Sequence, residues 1–293
     1  MKPARLWVMR RAVFGLGLSQ LLVTGAALAG IAVSLGLALK TAIIVGFGLA
    51  LSSTAFGLQL LIEKRELTST AGRTSFAILL LQDLAVVPLL ALVSLLSGGG
   101  ALVASAGTAV LEAVLVIGTV VLAGRYLLNP VLDRVAASQN AEIFTAAAVL
   151  LVLGVAWLME LAGLSMALGA FLAGLMLAES HYRHQIEADI QPFRGILLGL
   201  FFMSVGMSID LGLLVDRPGL ILALVAALMG VKALLAWGLC RLSGIDSGNA
   251  TRVGLLLSQS GEFGFVLFSF ATVSGVMPAP LFQTLLLIIA LSM

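Results

Sequence analysis

Leu49-Ala50-Leu51-Ser52-Ser53-Thr54-Ala55 sets three consecutive hydroxyl side chains in the middle of an apolar run that extends from Thr41 to Ile62. Such a run is long enough for the roughly 30 Å hydrocarbon core of a bilayer, which needs about 20 apolar residues in a helix. Nine more runs of this kind flank it: Ala12 to Leu37, Thr74 to Ser97, Leu102 to Leu128, Ile143 to Leu161, Gly163 to Ala178, Gly195 to Ile209, Gly219 to Leu242, Val253 to Ser274, and a shorter Leu281 to Met293. The composition agrees, with 61% hydrophobic and only 10% charged residues in 293, against roughly 25% charged in a soluble domain. A water-soluble fold is excluded. The net charge of +2 implies no nucleic-acid partner, and the single cysteine, Cys240, excludes an intrachain disulfide and a cysteine metal cage. Abundant Gly (32) and the absence of strict two-residue alternation favour packed helices over a membrane barrel. The expected fold class is an all-α, polytopic membrane protein of about ten helices.

Charge fixes the expected orientation. If the chain starts inside and each run crosses once, the inner segments carry Lys2, Arg5, Arg10, Arg11, Lys64, Arg65, Arg73, Arg125, Arg134, Arg183, Arg194, Arg241 and Arg252, and the outer ones only Lys40 and Arg217. Thirteen cations against two is the asymmetry of the positive-inside rule. The remaining cation, Lys232, lies within a run, as do Asp83 and Glu262. Each costs at least about 2.5 kcal/mol at the bilayer centre, which makes each a functional candidate. Asp83 is ten residues in from Arg73, Lys232 nine from Arg241 and Glu262 ten from Arg252. At 1.5 Å per residue all three lie about 14 Å deep, near the midplane.

Two runs carry polar interruptions at that same level: Ser52-Ser53-Thr54, and Ser258-Gln259-Ser260-Gly261-Glu262-Phe263-Gly264. Hydroxyls in a membrane helix can simply bond the carbonyl one turn back, and Lys232 alone could reach toward the inner surface. A shared depth argues instead for two helices that unwind where they meet, a pattern transporters use to coordinate cations. Each interrupted run is the middle of a trio; the third member of the first trio carries Gln82-Asp83, and the first member of the last trio carries Lys232. Seven crossings separate corresponding members, so the trios have opposite membrane sense, the sign of an inverted repeat with its site at the interface. Ala170, Gly174 and Ala178 form a small-xxx-small ridge expected to pack closely on a neighbour, and Glu112 is expected at an outer edge or a subunit contact.

Several stretches resemble the Kef-type potassium/proton antiporters of the monovalent cation:proton antiporter-2 family. They are Leu49 to Ala55; Gly72-Arg73 leading to Leu79-Leu80-Leu81-Gln82-Asp83-Leu84-Ala85; Gly163-Leu164-Ser165-Met166-Ala167-Leu168-Gly169-Ala170-Phe171-Leu172-Ala173-Gly174; and Gly199-Leu200-Phe201-Phe202-Met203-Ser204-Val205-Gly206-Met207-Ser208-Ile209-Asp210. The resemblance covers nearly the whole chain in the family's order. It implies a cation/proton exchanger fold of thirteen helices, in which residues 1–293 correspond to the fourth to thirteenth. The first three helices and a C-terminal nucleotide-binding regulatory domain are expected to lie outside this sequence.

By the same resemblance Asp83 is the cation and proton carrier, Gln82 its neighbour and Lys232 the basic residue facing it. Ser52, Ser53, Thr54, Ser258, Gln259, Ser260 and Glu262 fall on the two crossing interrupted helices. The family implies a homodimer in a bacterial inner membrane, surrounded by lipid, with no tightly bound cofactor; its transported species are a monovalent cation and a proton. The segment from His181 to Arg194 resembles the acidic loop through which glutathione-gated members are regulated, with Glu187 and Asp189 as its acids; a solvated connector is the plainer reading. Any glutathione or nucleotide control runs through the regulatory domain. A cation channel is the alternative function, although no carbonyl filter sequence such as TVGYG is present. An intramembrane hydrolase is disfavoured, because His181 and His184 both lie between runs and no H-E-x-x-H motif occurs.

Overall fold

The computed structural model describes residues 11–97, 106–162 and 165–293, leaving out the side chains of 11, 12, 106–114, 117, 121 and 141. The cations Lys2, Arg5 and Arg10, the side chains of Arg11 and Glu112, and Gly163-Leu164 therefore lie outside the described residues. All regular structure among the described residues is helical. After a π-helical stretch, Arg11–Gly17, come α1 (Leu18–Ser34), α2 (Leu39–Ala50), α3 (Thr54–Glu63), α4 (Thr70–Ser97), α5 (Ala106–Ala136), α6 (Ala141–Leu161) and α7 (Met166–Glu179). The chain continues through α8 (Arg183–Ser208), α9 (Leu211–Asp216), α10 (Pro218–Leu242), α11 (Ser247–Leu256), α12 (Glu262–Val273) and α13 (Ala279–Ser292). Among the described residues six segments are long and apolar enough to cross a membrane: Val13–Ser34, Leu39–Glu63, Thr70–Ser97, Glu142–Leu161, Arg183–Ser208 and Pro218–Leu242.

The helices form two compact units, residues Leu90–Met207 in one, and those up to Leu89 together with Ser208–Met293 in the other. The second unit holds every sequence-expected membrane-depth polar residue. Its helices approach backbone to backbone through glycine: a Cβ at Gly46 would lie 2.4 Å from the Ala29 nitrogen and from the Gly25 carbonyl oxygen. Ala71, Ile78, Leu79, Ala236, Cys240, Ala250, Val253 and Leu257 form a buried cluster joining α4, α10 and α11.

The Leu90–Met207 unit corrects two expectations. Gly174 and Ala178 are exposed, and a Cβ at Gly174 would meet nothing within 4 Å. The close approach is one residue away, where a Cβ at Gly169 would lie 2.6 Å from the Ala156 Cα. With 3.6 residues per turn, a one-residue shift turns the ridge by 100°, so the face carrying Gly169 and Ala173 meets α6. The segment from His181 to Arg194 is not a loop: it is helical from Arg183 onward. Tyr182, Ile186 and Ile190 recur every fourth residue and pack on Phe144, Leu128, Leu132 and Leu177, which is why this polar sequence winds into a helix. Thr145 Oγ1 donates to Asp189 Oδ2 at 3.0 Å, tying that acid to α6, whereas Glu187 is exposed.

Candidate functional site

Both polar interruptions unwind the helix. Between α2 and α3 the chain is extended at Leu51 and Ser53, and between α11 and α12 the residues from Leu257 to Gly261 break the run. The hydroxyl of Ser53 accepts from Phe56 N and caps α3, a role its residue type favours. The two breaks cross and bond one another. Gly261 N donates to the Leu51 carbonyl at 3.1 Å, and Ser53 N donates to Gln259 Oε1 at 2.9 Å, while Gln259 Nε2 returns a bond to the Ser53 carbonyl at 3.2 Å. Ser52 Oγ donates across to the Leu257 carbonyl at 2.9 Å, and Ser260 Oγ to the Leu49 carbonyl at 3.4 Å. Only glycine fits at the contact: a Cβ at Gly261 would lie 2.7 Å from the Ser52 carbonyl carbon.

A crossing of this kind places charge. The carboxyl ends of α2 and α11 bring free carbonyls, and the negative ends of two helix dipoles, to one point. Lys232 of α10 fills it, fully buried, with Nζ donating to the carbonyls of Leu49 (2.7 Å), Leu51 (2.8 Å) and Gln259 (2.8 Å). All three ammonium protons are thus committed to the main chain. Among the described residues Lys232 bonds to these main-chain carbonyls, and no ion pair joins it to Asp83.

Asp83 is bound from the other half-helix. Thr54, the first residue of α3, donates from Oγ1 to Asp83 Oδ1 at 2.8 Å. Glu262, the first residue of α12, lies close enough to interact with Asp83 electrostatically. Its Oε2 is buried and has no hydrogen-bond partner among the described residues. Two carboxylates therefore gather beside the positive ends of two half-helices, and the half-buried Asp83 carboxylate keeps capacity for a further partner.

The remaining candidates brace the crossing. Gln82 Oε1 accepts from Ser52 N at 2.8 Å, and its Nε2 donates to Gln20 Oε1 at 2.7 Å and to the Ala50 carbonyl at 3.3 Å. Ser260 N donates to Ser292 Oγ at 3.1 Å. Ser258 Oγ turns back to the Leu255 carbonyl at 2.8 Å, the local bond that hydroxyls in helices commonly make. It lines a cavity of about 470 Å³ with Gln259, Ser75 and, on the side of the inner cations, Lys64, Glu66 and Arg252. Arg252 and Glu66 pair at 2.9 Å. Gln20 and Thr24 escaped the sequence reading, although Gln20 lies nine residues in from Arg11, the depth that singled out Lys232.

A family model described as the transmembrane sodium/hydrogen exchanger matches residues 1–293. Among the described residues the helices, the interrupted pair and the buried charges accord with that match over the whole chain. The protein is a multi-pass membrane protein belonging to the sodium/hydrogen exchanger family, whose members exchange a cation for a proton.

Proposed function

We propose that the protein exchanges a monovalent cation, potassium by its resemblance to the Kef-type antiporters, for a proton, with Asp83 as the shared carrier. The observation that carries this reading is the pairing of Asp83 with Thr54 at 2.8 Å, beside the unpartnered Glu262 oxygen, at the crossing of two broken helices. A cation entering between the carboxylates gains charged oxygens where the surroundings offer few others, and a proton on Asp83 removes that charge. The two ligands compete for one group, and competition is the coupling. Alternating access follows if the unit that carries the crossing exposes Asp83 to each side in turn. The homodimer and the bacterial inner membrane belong to the same proposal.

Stoichiometry follows from Lys232. Its Nζ bridges three main-chain carbonyls of the crossing, so in this reading Lys232 is a fixed structural donor rather than a carrier. With Glu262 unchanged in protonation through the cycle, Asp83 supplies the exchanging charge, and one cation against one proton moves no net charge. Proteoliposomes containing a pH dye test the proposal. Potassium should drive proton release from the wild type, sodium less so, and Asp83→Asn should abolish it, with no dependence on membrane potential. Release that survives Asp83→Asn would overturn the assignment of the carrier. Cation leak without proton movement would favour a channel.

A further inference from the structure

Gln20 lies on the first described span, away from both broken helices in sequence, yet it is 1% exposed and its amide is bonded at both its nitrogen and its oxygen. Its Nε2 donates to Thr24 Oγ1 at 3.3 Å, one turn along α1, and Thr24 is itself fully buried. Its Oε1 accepts from Gln82 Nε2 at 2.7 Å. Thr24, Gln20, Gln82 and the Ser52 main chain therefore form one directed chain of hydrogen bonds across α1, α4 and the break between α2 and α3.

Direction matters here, because a primary amide has a donating and an accepting end. Ser52 N needs an acceptor, and Gln82 supplies one only while its nitrogen points away. The Gln20 oxygen at 2.7 Å, with the more distant Ala50 carbonyl at 3.3 Å, holds it that way; with the Gln82 amide turned over, two oxygens would meet at one end and two N–H groups at the other. The Ser52–Gln82 bond is also the neighbour of the Thr54–Asp83 bond: Ser52 precedes Thr54 by two residues and Gln82 precedes Asp83 by one. Whatever fixes the first bond fixes the spacing of the second.

We infer that Gln20 is a positioning residue of the exchange site, which sets the amide of Gln82 and thereby holds the unwound Leu51–Ser53 segment against Asp83. The inference rests on the proposed role of Asp83. Gln20 touches no reacting atom, so its removal acts on binding geometry and leaves the carrier intact.

Two readouts test it in the intact protein. In cation-driven proton release, Gln20→Leu should raise the half-saturating cation concentration about fivefold, the factor that one net hydrogen bond represents, with the maximal rate retained. Gln20→Glu, which in its protonated form keeps an acceptor for Gln82, should recover part of the wild-type value at a pH where that buried carboxyl is neutral, and Thr24→Val should shift it in the same direction as Gln20→Leu by less. Hydrogen–deuterium exchange, read without any cation gradient, should show faster exchange at the Ser52 and Ser53 amides in Gln20→Leu, with the buried amides of α10 unchanged. An unaltered half-saturation together with unaltered amide exchange overturns the inference. So does a fall in maximal rate and folded yield at constant half-saturation, which marks a merely structural glutamine. Should Gln20→Leu fail to fold, Thr24→Val decides by the same two readouts. If the wild type exchanges no cation while Gln20→Leu still loosens Ser52, the brace stands and the proposed transport fails.

Discussion

At Lys232 an amine is fully buried without a carboxylate bonded to it, and three carbonyls from two broken helices accept its bonds. Removing it takes a donor from all three, although the Leu51 carbonyl keeps Gly261 N and the Leu49 carbonyl keeps Ser260 Oγ. Lys232→Met should therefore destabilise the protein by about 1 to 3 kcal/mol, the range for leaving a buried acceptor unsatisfied, measured as thermal unfolding in detergent. A loss below 1 kcal/mol would mean that the carbonyls find other donors. Thr54 makes the opposite case, a small group acting on function. Thr54→Val is nearly isosteric and removes the hydroxyl that binds Asp83. Its expected effect is a weakening of cation binding by about tenfold, as for a hydrogen bond to a charged group, with folded yield unchanged; binding calorimetry on the two proteins compares them directly. The membrane-depth charges Asp83, Lys232 and Glu262 stand out in the sequence because each is costly in lipid. The partners of Lys232 are main-chain carbonyls, and no residue type announces those.

Two short helices on each side of a break do what one continuous helix cannot, since unwinding frees the carbonyls that Lys232 needs. Gly261 makes the crossing close. A methyl group there would press on Ser52 main-chain atoms that cannot move aside, so Gly261→Ala should cost about 1 to 3 kcal/mol and abolish exchange. Thermal melts and transport on one preparation check both. Outside the membrane, Asp246 caps α11: the Asn249 main-chain N–H and then its side-chain amide hold the Asp246 carboxyl below its ordinary range. A carboxyl depressed by folding contributes stability above its unfolded value of about 3.9, and that contribution is lost as the pH falls through the lower folded value. Asp246→Ala should thus melt earlier than wild type at neutral pH, and the two melting curves should converge in strong acid. Interrupted helices were legible from Ser52-Ser53-Thr54 and Gly261-Glu262 because polar groups and glycine cannot extend an apolar helix cheaply. The helix through Arg183 was not, because its apolar positions are few and only tertiary packing of Ile186 on Phe144 declares them.

Over the whole molecule, the sequence carries the fold class in its composition, a property of the bilayer as solvent, and its loop charges supply an expected orientation. It does not carry which face of a helix meets which neighbour: Ala170, Gly174 and Ala178 present as good a ridge as Gly169 and Ala173, and packing on α6 selects the latter. Orientation is testable because the native thiol, Cys240, is buried. A cysteine at position 64 should react with an impermeant maleimide only from the inner face, and one at position 217 only from the outer; the reverse pattern would invert the assignment. The most direct test of the account is the number of protons displaced for each cation bound, obtained by titration calorimetry in two buffers of different ionisation enthalpy. The account predicts one proton per potassium ion at a pH where Asp83 is protonated, and no displacement in Asp83→Asn. Cation binding without proton release, or displacement undiminished in Asp83→Asn, would contradict it.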